Sequence, residues 1–331
     1  MNYINNFRAY AILTIILVHV SGIIRDNVGS IYIILESIVK NGTFQFVIIA
    51  GFLFSASSSD FKYAPYLRNK FNSVVLPYVF ISIPAILLDV LKIKTHHAWV
   101  DMDWLYSLPI WQEVLYFYVT GSHLGPLWFV PMIVIFYLAS PFFNAIKNRL
   151  DFLLVAFVIA GILGAFLGRP SFDQNSLQAF VYFMPAFLLG QIFYLKKELF
   201  TRQGRWCFLI TLAGWPGLIA TQYGQGIDGL PGADLLFLVI FNTGAMGIVY
   251  RYLNGWNRWV DLFARISFYL FFAHGYLVGA LREIYGRALD HGMSPWVFVI
   301  FGFSVTVLGC LAGYVIVKMA LGHRSRIFIG A

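Results

Sequence analysis

Long apolar runs separated by short polar stretches define this chain. Ten of them reach or approach the roughly 20 residues that carry a helix across a bilayer. They cover about 7–24, 41–57, 72–91, 124–145, 151–168, 177–195, 206–222, 232–251, 264–281 and 295–318. Short loops join them, apart from one long connection, 92–123. Within it, 104–120 (WLYSLPIWQEVLYFYVT) is aromatic but short and contains Pro109 and Glu113. That pattern predicts an interfacial or re-entrant helix on the outer face, with Trp104 and Trp111 at headgroup level. Segment 31–40 (IYIILESIVK) predicts a similar surface helix leading into the second span. The expected fold is an all-α integral membrane protein with about ten transmembrane helices. Residues 1–331 form one transmembrane domain, with no internal repeat and no soluble domain.

Composition makes the membrane reading compelling. The 331 residues are 60% hydrophobic, 18% aromatic and 11% charged, against about a quarter charged in ordinary soluble domains. Mean hydropathy is +0.75. Such a chain cannot cover a soluble surface, and helices satisfy their own backbone in lipid. The net charge of +8 does not imply a nucleic-acid partner, because the basic residues are scattered and form no dense patch.

Charge instead orients the chain. With the N-terminus inside, one set of faces holds 16 of the 23 basic residues, from Arg8, Lys62, Arg68 and Lys70 through Arg202 and Arg205 to Arg324 and Arg326. The opposite set holds Arg25, Lys92, Lys94, Arg169, Arg282 and Arg287, with Lys40 ambiguous. The positive-inside rule then places both termini in the cytoplasm. If 104–120 crossed the bilayer, every later loop would change sides and the bias would largely collapse. Cys207 and Cys310 fall within apolar runs and read as small core residues. The first run lacks a clear cleavage site and reads as a retained helix.

Arg8 and His19 are the first candidates for chemistry. Eleven steps at 3.6 residues per turn make about three turns, so both side chains share one helix face, roughly 16 Å apart along the axis. Arg8 belongs at a membrane surface and His19 near or beyond mid-bilayer, where an ionisable side chain is a functional-site hypothesis. A neutral imidazole there suits general-base work. The bland alternatives are a packing histidine and an arginine that only sets topology.

FRAYAILTIILVH, with its Arg-x10-His spacing, resembles the signature of the membrane acyltransferase-3 family. FQFVIIAGFLFS (44–55) resembles that family's second span, LRNKFNSVVLPYVF (67–80) its basic loop leading to Pro-Tyr, GPLWFVPMIVIFYLASPF (125–142) its Leu-Trp-Phe span and ISFYLFFAHGYLV (266–278) its late histidine span. Two positions depart from the family pattern. Ala50 stands where a serine is usual, and Asn72 and Ser73 occupy the place of a second arginine.

The resemblance implies an integral-membrane O-acyltransferase of the bacterial inner membrane. It would move acetyl, or another acyl group, from cytosolic acetyl-CoA to a hydroxyl of a lipid-linked or exported cell-envelope glycan. Acetyl-CoA would be a substrate and not a resident cofactor. Arg8 would hold its phosphates, with Arg68 and Lys70 as further phosphate candidates or simple topology charges. His19 would act as base or acyl relay. His274 would orient the acceptor or polarise the thioester, or only bond neighbouring helices. Trp128 and Tyr137 either pack or line the substrate. Gln45 and Asn242 either join helices or donate to an oxyanion. His96, His97, His123, His291 and His323 fall in loops or at span ends, and no metal or nucleotide motif is present. A transporter or flippase for a glycan or small solute is the alternative, opposed by the absence of paired inverted halves.

Overall fold

The computed structural model describes residues 2–29, 31–97, 99–171, 175–198, 203–223 and 232–330. Arg202 and the side chain of His323 lie outside this description. The chain is 83% helical, with no strand among the described residues. In order, the helices are α1 (Asn2–Ser21), α2 (Ile31–Val39), α3 (Gly42–Ser57), α4 (Tyr63–Lys70), α5 (Leu76–Val90), α6 (Met102–Tyr106), α7 (Ile110–Thr120), α8 (Phe129–Leu138), α9 (Ser140–Ile146), α10 (Leu150–Leu167) and α11 (Ser176–Leu195). Then follow α12 (Gly204–Tyr223), α13 (Ala233–Tyr252), α14 (Arg258–Arg265), α15 (Ser267–Asp290), α16 (Pro295–Leu321) and α17 (Ser325–Ile329).

Among the described residues, seven helical runs are long and apolar enough to cross a bilayer, and two bent pairs, α7 with α8 and α14 with α15, raise the number to nine. Helix α12 fills the segment expected at 206–222 but is not among them. It carries Arg205, Thr211, Gly214, Pro216 and Gly217, which dilute its hydropathy. Its small residues serve close packing instead: a Cβ on Gly214 would sit 2.7 Å from the Phe241 nitrogen of α13.

One expected boundary is corrected and another is refined. Segment 31–40 contains α2, which leads directly into α3, and the two run on as one apolar stretch, Tyr32–Ser57. Asn41 makes this continuity possible, because its amide donates to the Ser37 and Ile38 carbonyls that a helix end leaves orphaned. The basic stretch 67–70 is likewise helical and not a loop. A π-turn at Phe71–Val75 joins α4 to α5. Pro77 lies just beyond it, and its missing N–H is accommodated where the ladder widens.

The interior is aromatic. Phe187 packs against Phe136 and Phe143, with ring centroids 5.0 and 4.4 Å away. Helices α3 and α11 approach so closely that a Cβ on Gly51 would lie 1.9 Å from the Phe187 carbonyl oxygen, and one on Gly190 2.0 Å from that of Ile48. The exterior is equally apolar. Helix α10 exposes Val155, Val158, Ile159, Ile162 and Phe166, and α16 exposes Ile300, Leu308, Ile316 and Met319. Such faces are stable only against lipid.

Segment 104–120 is two helices. Asp101 caps α6 by accepting from the Trp104 N–H. Trp104 and Trp111 are both exposed. Helix α7 leans on α5, where the Tyr78 hydroxyl donates to the Tyr118 carbonyl and the Tyr118 hydroxyl to that of Val79. Its end therefore reaches the middle of the long Tyr63–Val90 run. There Gly121, at φ 71°, reverses the chain against the Leu127–Trp128 backbone, which leaves no room for a Cβ. Helices α7 and α8 consequently meet at 74°.

Candidate functional site

The site is built along the seam between α1 and α15. On α1, positions 8, 12, 15 and 19 follow helical spacing and share a face. On α15, positions 267, 271 and 274 do the same. At one level the Arg8 guanidinium donates to the buried Ser267 hydroxyl, 2.9 Å away. At another, the His19 and His274 rings lie with centroids 5.3 Å apart. Between these levels the face carries Ile12, Ile15 and Phe271, all buried in the main core cluster. The seam is thus polar at two levels and apolar between them. The same-face expectation for Arg8 and His19 is met by their shared partner helix.

Each polar level has spare bonding capacity. Arg8 makes no other hydrogen bond among the described residues, and no carboxylate faces it. The guanidinium has five N–H donors, so most remain for a ligand. Lys70 lies near enough to repel Arg8 and sits over the Tyr66 and Tyr137 rings, 5.5 and 5.2 Å from their centroids. His274 Nδ1 lies 2.9 Å from the Leu270 carbonyl oxygen. That oxygen only accepts, so Nδ1 carries the hydrogen and Nε2 keeps its lone pair. Nε2 is buried and has no partner. Beside it, Gly275 lets Leu124 and Pro126 seat against α15, where a Cβ would come within 2.9 Å of Leu124.

His19 lines a cavity of about 280 Å³. Its walls come from distant parts of the chain: Lys40 between α2 and α3, Trp99 and Ser122 from the long connection, Trp128, Arg169 after α10, and Arg282 on α15. Along α15, Ser267 meets Arg8, His274 meets His19 and Arg282 lies two turns further on, so the cavity lies toward the opposite end of the seam from Arg8. The Arg169 guanidinium lies 5.4 Å from the Trp128 ring centroid.

The remaining candidates separate. Trp128 lines the cavity; Tyr137 does not and belongs to the Lys70 group. Arg68 is exposed on α4. Gln45 and Asn242 are fully buried and bond each other at 3.0 Å, and Asn242 also contacts Asn41. They join α3 to α13 and do not line the cavity. No group of three potential metal ligands occurs among the described residues, and both cysteines are free and buried.

Two features escape a reading of the sequence. Trp99, Ser122, Arg169 and Arg282 join His19 only through the fold. Their one legible signal is that Arg169, Arg282 and the ambiguous Lys40 stand outside the positive-inside majority. Behind Trp99 lies a buried polar cluster in which His97 Nε2 and Asp89 Oδ1 are 2.8 Å apart. Lys94 donates to the His123 carbonyl at 3.2 Å, and Trp99 Nε1 to that of Ser122 at 2.8 Å. Burial pushes the Lys94 ammonium below its usual range, with Asp89 pulling the other way. This cluster fixes the turn that walls the cavity.

A family model described as an acyltransferase domain matches residues 1–315. No curated protein and no solved structure matches the chain.

Proposed function

Because the chain belongs to the membrane acyltransferase-3 family, we propose that it transfers acetyl from cytosolic acetyl-CoA to a hydroxyl of a cell-envelope or exported glycan. The observation that carries this reading is the position of His19, beside the unpartnered Nε2 of His274 and on the wall of a cavity. The donor approaches from the Arg8 end, taken as cytosolic from the charge distribution, with its phosphates on Arg8 and Lys70. The acceptor approaches through the cavity.

His19 removes the proton as the acceptor oxygen attacks the thioester carbonyl. The tetrahedral intermediate collapses by breaking the carbon–sulfur bond. The proton held on His19 passes to the departing sulfur, giving an ester and free coenzyme A. His274 holds the acceptor or the donor carbonyl in line.

The test is the acetyl content of the envelope glycan, by mass spectrometry, in cells carrying His19→Ala or His19→Gln at matched expression. Acetylation is expected to fall to the level of cells lacking the gene. Normal acetylation would remove His19 from the chemistry. A glycan that is chemically unchanged when the gene is deleted would favour a transporter.

A further inference from the structure

Arg8 and Lys70 bring two positive charges together, close enough to repel each other. Among the described residues no carboxylate acts on either. Tyrosine rings hold Lys70 there instead. Its ammonium lies 5.5 Å from the Tyr66 ring centroid and 5.2 Å from that of Tyr137. The two rings meet edge to face, 6.1 Å apart at 82°. Tyr66 precedes Lys70 by about one turn of α4, so the two share a helix face, and Phe54 and Phe61 brace its ring at 5.6 and 5.5 Å. Tyr137 is buried on α8, which the Tyr63 hydroxyl ties to α4 by donating to the Leu138 carbonyl at 3.1 Å. Neither the Tyr66 nor the Tyr137 hydroxyl hydrogen-bonds to a described residue, so their contribution here comes from the rings.

Building on the acyltransferase reading above, we propose that Tyr66 and Tyr137 are positioning residues, which cage the Lys70 ammonium beside Arg8 so that the two cations grip one phosphate group of the donor. A carboxylate would anchor Lys70 as well, but it would cancel the charge that a phosphate meets. A ring face attracts the ammonium through its quadrupole and leaves its N–H donors uncommitted. The cage also restrains a flexible four-carbon stem before the donor arrives, which lowers the cost of binding. Without it, repulsion from Arg8 would turn Lys70 toward solvent. The chain has a reason to need such a device. Asn72 and Ser73 stand where the family pattern has a second arginine, and neither carries charge. Lys70, just ahead of the π-turn at Phe71–Val75, supplies a cation in that stretch. The cage supplies the pre-organisation that arginine's planar fork would have brought.

The experiment is calorimetric titration of the full chain, in nanodiscs of neutral lipid, with adenosine 3′,5′-bisphosphate, the phosphate-bearing end of the donor, and with adenosine as the uncharged control. The bisphosphate is expected to bind about tenfold or more tighter than adenosine, and Lys70→Met to remove about tenfold, the scale of one charge-assisted hydrogen bond. Tyr66→Leu and Tyr137→Leu should each weaken the bisphosphate about threefold or more, the scale of one cation–π contact. Tyr66→Phe and Tyr137→Phe keep the ring face and should keep the affinity. In a Lys70→Met background the leucine substitutions should change nothing further. In the transfer assay the leucine variants should raise the KM for acetyl-CoA and leave kcat unchanged. Tyr137 is a core residue, so if Tyr137→Leu does not fold, Tyr66→Leu, at a half-buried position, decides the matter.

Unchanged bisphosphate affinity in Lys70→Met or in Tyr66→Leu would overturn the inference. Phenylalanine variants as weak as the leucine ones would overturn it too, because the hydroxyls and not the ring faces would then matter. So would a leucine effect that persists undiminished in Lys70→Met, since the rings would then only pack. Bisphosphate binding that ignores Lys70 and the tyrosines, with normal His19-dependent acetylation, sinks this inference alone. Cage-dependent bisphosphate binding without acetyl transfer sinks the acyltransferase reading alone.

Discussion

His19 and His274 face each other across the α1–α15 seam with ring centroids 5.3 Å apart and no hydrogen bond between them. His274 has its Nδ1 hydrogen committed to Leu270, so the two rings are not equivalent. His19→Ala is expected to lower acetyl transfer about 10²–10⁴-fold, the usual contribution of a general base. His274→Ala should cost less. With both rings acting on one substrate, as proposed, the double variant should lose less than the product of the two single losses. Rates from purified protein in nanodiscs decide this, and independent, multiplicative losses would show that the histidines do not act on a common group.

Arg8 is expected to act in donor binding. Arg8→Ala should raise the KM for acetyl-CoA about tenfold or more, and Arg8→Lys should recover only part of it, since lysine lacks the bidentate fork. Ser267→Ala should change KM by less, because it removes a single neutral partner of the guanidinium. A titration of acetyl-CoA against each variant reads the effect. An unchanged KM in Arg8→Ala would return Arg8 to the role of a topology charge.

The α3–α11 contact sets a packing limit. In Gly51→Ala or Gly190→Ala the new methyl would lie about 2 Å from a backbone carbonyl oxygen, and backbone cannot swing aside as a side chain can. Destabilisation at or above the usual overpacking range of about 1–3 kcal/mol is expected. Gly161 on α10 has open space around it, so Gly161→Ala should be close to neutral. Thermal melting in detergent compares the three. Equal melting temperatures would mean that the helices separate at little cost.

Asp89 and His97 form a fully buried pair that anchors the cavity wall. His97→Ala leaves the Asp89 carboxylate buried without its ring partner, and its Oδ2 already lacks one. The expected cost is about 1–3 kcal/mol or more. It should appear as a lower melting temperature and as protease cleavage within 92–123. His96→Ala, beside it but exposed, should do neither.

Much of this protein was legible in its residues, because lipid allows few solutions. An apolar run of sufficient length must be a helix, so the ten expected segments all contain helix. The spacing from Arg8 to His19 fixed a shared face before any neighbour was known. Gly51 could be noted as part of Ala-Gly-Phe-Leu, yet its reason, the Phe187 backbone, lies more than a hundred residues away. The close joining of α2 to α3 is not legible locally, because nothing in the sequence announces that Asn41 will satisfy the carbonyls behind it.

The neighbours of His19 belong to the tertiary structure alone. Helix periodicity says which way a side chain points, since it depends on a few consecutive backbone angles. It does not say what stands opposite. Trp99, Trp128, Arg169 and Arg282 come from separate loops and helix ends, and only the packing of helices far apart in sequence gathers them around one imidazole. The sequence by itself determined a helical membrane bundle with an arginine and a histidine on one face. The packed bundle decided that the arginine meets Ser267, that the histidine meets His274, and that a cation-lined cavity reaches the histidine from the other end.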